Sequence, residues 1–282
     1  MNNLKELKCI VWDLDNTIWD GTLLESAQVT LKPGIRELLT ELDERGVLHS
    51  IASKNNHADA MQKLKEFDLD HFFLYPQINW SAKSESIATI REKLNFGIDT
   101  FAFVDDQEFE RDEVGSVHPE VELIDALDYL KVREMPRANP RFITSDSALR
   151  RSMYQNDIVR NELEADYVGP AEEFMASLEM EFVISEAKEE DLKRAEELTV
   201  RTNQLNATGR TYDYEDLVGF LNSDSHLLLI CELKDKYGSY GKIGLALVEI
   251  QDEAWHLKLL LMSCRVISCL LYTSPSPRDS VG

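Results

Sequence analysis

Cys9-Ile10-Val11-Trp12-Asp13-Leu14-Asp15-Asn16-Thr17 is an apolar run that ends in two carboxylates two positions apart, followed by a turn residue and a hydroxyl. The apolar run predicts a buried strand, and Asn16 marks where it stops. Ligands of open α/β sheets bind beyond the carboxyl ends of the strands, which is where Asp13 and Asp15 project. Two acids this close repel one another unless a cation neutralises them. Mg²⁺ suits that role, because it is a hard ion held by one or two carboxylates and by phosphate oxygens.

Outward from this stretch the first half alternates between strand and helix. Pro33 and Gly34 open a helix through Arg45 with Ile35, Leu38, Leu39 and Leu42 on one face, and Gly46 ends it. Residues 47–52 read as a second strand, followed by the polar loop Ser53-Lys54-Asn55-Asn56. Residues 57–67 read as a helix, and Phe72-Phe73-Leu74-Tyr75 as a third strand stopped by Pro76. Lys83 begins a helix through Leu94, and residues 100–104 form a fourth strand that ends in Asp105-Asp106. A further helix and a fifth strand, residues 121–124, complete the set. Strands alternating with helices imply a Rossmann-like α/β domain with a parallel sheet and right-handed crossovers, over residues 1–132.

Each strand end carries a chemical group. The first offers Asp13 and Asp15, the second Ser53 and the fourth Asp105 and Asp106, while Lys83 follows the third. Phosphoryl transfer through an aspartyl-phosphate needs this set: a carboxylate nucleophile, a second carboxyl as acid and base, a metal, and donors for the phosphate oxygens. Any one of these groups has an ordinary structural explanation, a turn serine or a solvated helix-start lysine, but their joint order favours chemistry.

Composition narrows the class. The 282 residues suggest about two domains. A net charge of −22 argues against nucleic acid and against an anionic membrane surface as partners, and plain solubility accounts for it. The four cysteines, Cys9, Cys231, Cys264 and Cys269, lie in or near apolar stretches without metal-ligand spacing. They read as reduced thiols of a cytoplasmic protein. The N-terminus has no apolar segment of the signal-peptide kind, and no apolar run reaches the roughly 18 residues of a membrane helix.

The second half changes character. Met135-Pro136-Arg137-Ala138-Asn139-Pro140-Arg141 reads as a basic connector, within a linker and connecting helix over residues 133–180. Thr144-Ser145-Asp146 caps a helix to about Asp166 that carries Arg150, Arg151 and Arg160, either a solvated face or a docking patch for an acidic partner. From residue 181 come a strand (182–184), helices over 188–205 and 213–222, and strands over 226–233, 242–250 and 255–262. Tyr237-Gly238-Ser239-Tyr240-Gly241 is expected as the turn between the first two strands of that meander.

The ordered groups Asp13-x-Asp15-x-Thr17, Ser53, Lys83 and Asp105-Asp106 resemble the motifs of the haloacid dehalogenase (HAD) superfamily. The resemblance implies that Asp13 is nucleophile and metal ligand, and that Asp15 is general acid and base with its main-chain carbonyl on the metal. It further implies that Ser53 and Lys83 bind the phosphoryl group and that Asp105 completes the Mg²⁺ shell. Asp106 would stand beside it or one shell out, and Asn16 and Thr17 would support the loop. The 29 residues between Thr17 and Val47, and the short interval from Ser53 to Lys83, leave no room for a cap domain, so an open site is expected.

The strand, two helices and meander over residues 181–268 resemble the opening of the GNAT acyltransferase fold, as a partial α+β domain. Arg201-Thr202-Asn203-Gln204-Leu205-Asn206 is similar to the signature of FkbH-like proteins, which join a subfamily IIIC HAD domain to a GNAT-like one. Phe103-Val104-Asp105-Asp106-Gln107-Glu108-Phe109-Glu110-Arg111 and Met262-Ser263-Cys264-Arg265-Val266-Ile267 match the same family. The resemblance implies release of phosphate from 1,3-bisphosphoglycerate and transfer of its glyceryl group to an acyl carrier protein thiol, feeding polyketide extender units. An acyl phosphate is already activated, so a thiolate takes the acyl group once the phosphate is neutralised. Cys9 and Cys264 are candidate acyl-accepting thiols, with Cys9 favoured as a core residue. Residues 269–282, Cys269 to Gly282, depart from the family where a glycine turn is expected, and read as a non-native or disordered tail. Three rivals stand beside this reading: a phosphatase of another metabolite or protein, a GNAT-type acyltransferase, and a non-catalytic carrier-docking module.

Overall fold

The computed structural model describes residues 5–26, 28–202 and 205–263. Cys264, the tail from Cys269, and Asn203 and Gln204 of the second-half motif lie outside the described residues. The chain divides into two compact units, the first Met1–Ile143 with Ser147–Tyr154, the second Thr144–Asp146 with Gln155 onward.

The first unit holds β1 (Cys9–Trp12), β2 (Trp19–Asp20), β3 (Thr30–Leu31), α1 (Ile35–Glu44), β4 (Leu48–Ser53), α2 (His57–Glu66), β5 (Gln77–Ile78), α3 (Lys83–Leu94), β6 (Phe101–Asp105), α4 (Glu108–Val117) and β7 (Glu122–Asp125). Five strands form one sheet in the order β5-β4-β1-β6-β7, with every pair parallel. β1 lies at its centre, with every residue buried, which is why Cys9–Trp12 is continuously apolar rather than alternating. Register places the chemistry. Trp12 pairs with Ile51 on one side and Val104 on the other, so Asp13, Ser53 and Asp105 all fall at the carboxyl edge. The α1 face of Ile35, Leu38, Leu39 and Leu42 is buried in the core, as its spacing predicts.

One reading of the first half is corrected, and one element is new. The run Phe72-Phe73-Leu74-Tyr75 is not a strand: Asp70–Phe72 is a short 3₁₀ turn, Phe73 makes a single bridge to His49, and Tyr75 takes a positive φ of 50°. The edge strand is β5, beyond Pro76. The run is apolar because Phe72, Phe73 and Leu74 are buried, and periodicity alone does not separate a buried turn from a buried strand. The connection after Thr17 contains an antiparallel ribbon, β2 with β3, that the sequence pattern does not announce. Gly21 turns this segment at φ 104°, where a Cβ would also stand 3.3 Å from Val29.

The stretch read as a basic connector is bound into the first unit. The Arg137 guanidinium donates to Glu122 at 2.5 Å and to the carbonyls of Lys5 and Asp99 at 2.8 and 2.5 Å. Arg151 pairs with Asp43 at 3.0 Å, and Arg150 donates to the Gly46 carbonyl at 2.7 Å. These two arginines are therefore occupied within the chain rather than presented as a docking patch.

The second unit contains most of α6 (Arg150–Asp166), which follows α5 (Ser145–Ala148), then α7 (Ala171–Ser177), β8 (Glu181–Glu186), α8 (Leu192–Arg201), α9 (Tyr214–Leu221), β9 (His226–Asp235), β10 (Gly238–Ile250) and β11 (Trp255–Met262). Its four-stranded sheet runs β11-β10-β9-β8, antiparallel throughout. Leu192, Ala195 and Leu198 of α8 and Leu217 of α9 pack against Leu228, Ile230, Leu245, Leu247, Leu259 and Leu261. The first helix is shorter than expected, because residues 189–191 form a 3₁₀ turn held by the Asp191 carboxylate on the Lys188 amide at 2.8 Å. The meander turn is also tighter. Asp235 accepts from the amides of Tyr237 and Gly238 at 2.8 and 3.0 Å, so Gly238–Gly241 belong to β10. Arg160, the third arginine of the expected patch, is buried against Asp235 at 2.6 Å. Among the described residues no helix is long and apolar enough to cross a membrane.

Candidate active site

The carboxyl edge of the parallel sheet gathers most of the residues singled out in sequence. Asp13 continues β1 by one step, its amide bonded to the Val104 carbonyl at 2.9 Å. Asp105 is the last residue of β6 and Ser53 the last of β4. Lys83 is the first residue of α3 and is 3% exposed. Its ammonium lies between two carboxylates, 2.6 Å from Asp13 and 2.7 Å from Asp105. Ser53, close by, favours the charged form of the Asp13 carboxylate.

Electrostatics follow from burial. Loss of solvent pushes Asp13 up to about 6, and Asp105 adds to the rise, while Lys83 opposes it. Burial also raises Asp105, against the pull of Lys83. For Lys83 burial alone would favour loss of the proton, but the two carboxylates outweigh it and hold the ammonium above the ordinary lysine range. Asp106 is raised by burial and then by Asp13.

Carboxylate oxygens of Asp13, Asp105 and Asp106 lie within 4.8 Å of one another. One ammonium faces three acids, and the buried Oδ1 of Asp106 has no hydrogen-bond partner among the described residues. An excess of negative charge, hard oxygen donors and an unpaired buried acceptor fit a divalent cation of the Mg²⁺ kind.

The Asp15 carboxylate stands apart from this cluster. It accepts from Trp19 Nε1 at 2.8 Å, from the Leu23 amide at 3.1 Å and from Asn55 Nδ2 at 3.0 Å. Asn16 adopts φ 54° and closes the loop through its side chain to the Gly21 amide at 3.0 Å. Thr17 is fully buried, its hydroxyl without a partner among the described residues. Cys9 lies in the β1 core with no exposure, and burial drives its thiol far above the ordinary cysteine range, which leaves it an inert thiol.

Three residues that bear on the site were missed in sequence. Asn55 is 1% exposed and holds Asp15. Trp19, on the β2–β3 ribbon, donates to Asp15, and Glu113 lies on α4, bonded to Ser84 next to Lys83. The Ser-x-Asn spacing after β4 was a signal for Asn55. The other two pairings depend on how separate elements meet.

Residues 22–113 match the profile described as haloacid dehalogenase-like hydrolase, a match that begins after Asp15 and includes Ser53, Lys83, Asp105 and Asp106. No curated protein matches the chain. Among solved structures, the N-terminal part of a Bacteroides fragilis protein, containing a phosphatase domain complexed with Mg, is 32% identical. That alignment covers 45% of this chain and 39% of that one, with a TM-score of 0.37. A HAD-superfamily hydrolase from Geobacter sulfurreducens is 15% identical over 44% of this chain and 89% of its own, at a TM-score of 0.37. Another, from Ehrlichia chaffeensis, is 13% identical over 47% of this chain and 97% of its own, at 0.39. The profile match over residues 22–113, together with the acidic edge of the parallel sheet, supports a haloacid dehalogenase-like hydrolase domain within the first unit.

Proposed function

We propose that the chain is a Mg²⁺-dependent phosphohydrolase that acts on 1,3-bisphosphoglycerate and passes the glyceryl group to an acyl carrier protein thiol. One observation carries the phosphoryl-transfer part: Lys83 is held between Asp13 and Asp105, with Asp106 beside them, at the ends of adjacent parallel strands. The substrate and carrier are supported by the FkbH-like motifs of the sequence.

The chemistry divides by which bond breaks. Asp13 attacks phosphorus, so it serves the phosphate ester at C3: the P–O bond to the C3 oxygen breaks and Asp15 delivers a proton to the leaving alkoxide. Asp15 then takes a proton from water, the water attacks the aspartyl-phosphate, and inorganic phosphate leaves with Asp13 restored. Ser53 and Lys83 hold the phosphoryl oxygens throughout. Asp13, Asp105 and Asp106, with the Asp15 carbonyl, would hold Mg²⁺, which neutralises the excess charge and polarises the phosphoryl oxygens when bound. Transfer at C1 breaks a C–O bond instead. The thiol sulfur attacks the acyl carbon, the C1 phosphate departs, and the thiol proton goes to solvent. Two phosphates are released for each glyceryl group loaded.

A second reading is a phosphatase of another phosphorylated metabolite or of a protein. It is favoured by the same edge and by the short segment between β1 and α1, which among the described residues holds the β2–β3 ribbon as its only regular element. One experiment tests both. The protein is incubated with Mg²⁺, 1,3-bisphosphoglycerate and a panel of carrier proteins, with an enzyme-free control for spontaneous hydrolysis, and intact masses and phosphate are measured. The proposal expects a glyceryl adduct with two phosphates per adduct. Asp13→Asn should slow release of the C3 phosphate at least about a thousandfold, leaving any adduct heavier by one phosphoryl group. Phosphate release without an adduct overturns the carrier assignment and leaves the second reading. No release above the control overturns this substrate altogether.

A further inference from the structure

The motif Phe103–Arg111 runs past the acids of β6 into α4, and α4 reaches the ends of β4, β6 and β7 and the start of α3. Glu110 takes the Lys54 ammonium, one residue beyond Ser53, at 2.8 Å. Arg111 donates to the Asp105 carbonyl at 2.8 Å and to the Asp125 carboxylate at 2.8 Å. Glu113 receives the Ser84 amide at 3.1 Å and the Ser84 hydroxyl as well. His118, at the end of the same helix, lies 3.0 Å from the Ser84 carbonyl through Nε2. Ser84 is therefore held through its amide, its hydroxyl and its carbonyl.

What makes this more than packing is the start of α3. Its N-cap is Ala82, which has no side-chain acceptor, so the first-turn amides lack the local cap that most helices carry. Glu113 supplies an anionic acceptor from another helix, at the positive end of the α3 dipole. The residue fixed is the second of the helix, and the first is Lys83. Lys83 has a long side chain with large rotamer freedom, and its ammonium must sit within hydrogen-bond reach of both Asp13 and Asp105. An error in the backbone at the first turn of α3 passes directly to that ammonium.

We propose that Glu113 is a positioning residue for Lys83, capping α3 from α4 so that the ammonium is held between the strand-end acids. The proposal rests on the reading of Lys83 as the group that neutralises a transferring phosphoryl. Glu113 lies two residues beyond the motif, whose own Glu110 and Arg111 tie Lys54, Asp105 and Asp125 to the same helix.

The test has one readout that needs no turnover. In the intact protein, acetylation of Lys83 by an amine-reactive acetyl ester is followed by mass spectrometry, with exposed lysines as internal references. Glu113→Ala should raise the rate at Lys83 about five- to tenfold, the factor expected from losing a helix cap. Glu113→Gln keeps an acceptor and should restore most of the protection, and Ser84→Ala, which removes only the hydroxyl, should give a smaller increase if Glu113→Ala fails to fold. With p-nitrophenyl phosphate as probe, Glu113→Ala should lower kcat about tenfold at a nearly constant KM, and have no further effect in a Lys83→Ala background. Equal labelling in wild type and Glu113→Ala overturns the proposal, as does a Glu113→Ala effect of the same size with and without Lys83. If the wild type does not hydrolyse the probe, the phosphohydrolase reading suffers, and the labelling ratio still decides the role of Glu113.

Discussion

His49 shows how one buried side chain sets a pH limit on the first unit. Trp12 Nε1 donates to its Nδ1 at 3.1 Å, and its Nε2 lies 3.1 Å from the Leu39 carbonyl. The partners require a neutral ring protonated at Nε2. Burial holds the folded pKa at about 3, whereas an unfolded histidine titrates near 6.5. Between those values the unfolded chain binds a proton that the folded chain refuses. Its contribution to stability is therefore complete above about pH 6.5 and is lost as pH falls toward 3, at up to about 1.4 kcal/mol per pH unit. Asp13 has the opposite sign, because its folded pKa of about 6 lies above the unfolded 3.8 and its contribution is lost as pH rises through that range. Comparing denaturant midpoints of wild type and His49→Gln from pH 7 to pH 4 isolates the histidine. The wild type should lose stability more steeply, and parallel slopes would refute the assignment. Lys83 belongs to the same scale. Replacing it by Met leaves Asp13 and Asp105 buried without their cation, at a cost of about 3–5 kcal/mol. Added Mg²⁺ should recover part of that loss in a thermal melt, and a melt indifferent to Mg²⁺ would speak against the acidic cluster as the metal site.

At the scale of elements, α8 combines an apolar face with buried charge. Arg194 pairs with Glu197 at 2.6 Å and with Asp146 at 3.1 Å, and donates to the Lys242 carbonyl at 2.9 Å. Arg194→Met would leave buried Asp146 without its guanidinium partner and take one of two arginines from Glu197, at a cost of about 3–5 kcal/mol, which hydrogen exchange should report as lost protection in β9 and β10. Unchanged protection there would show the network to be dispensable. The same helix explains part of the Arg201–Asn206 motif without chemistry. Arg201 pairs with Glu197 at 2.6 Å, and Asn206 folds the following turn by accepting from the Thr208 and Gly209 amides at 3.2 and 3.0 Å. Elements also show what the sequence made legible. Lys83–Leu94 is the helix its pattern predicts, and Asp13 and Asp105 end strands where apolar runs end in acids. Periodicity and polar punctuation are local signals, so they survive into the fold. Asn55 with Asp15, and Glu113 with Ser84, are pairings across 40 and 29 residues, set by how loops and helix ends meet. The Phe72–Tyr75 run failed for the converse reason, since burial there came with a single bridge rather than a strand pairing.

For the molecule as a whole, charge is the dominant fact. A net charge of −22 surrounds a site whose proposed substrate is a phosphorylated anion, so approach is opposed by the far field even though Lys83 favours the bound state. Screening removes the far field first. The Debye length shrinks from about 30 Å at 0.01 M salt to about 8 Å at 0.15 M, while a pair buried like Lys83 and Asp13 at 2.6 Å is screened far less. The kcat/KM for an anionic phosphate monoester should therefore rise with ionic strength over that range at fixed free Mg²⁺, mostly through KM. This is the reverse of the usual behaviour of sites steered by opposite charge. A neutral or zwitterionic phosphorylated substrate should show little dependence. A fall in kcat/KM with salt would mean that the site presents a local positive field strong enough to overcome the rest of the chain, and the capture of anions would then have to be assigned to a basic surface rather than to Lys83 and Mg²⁺.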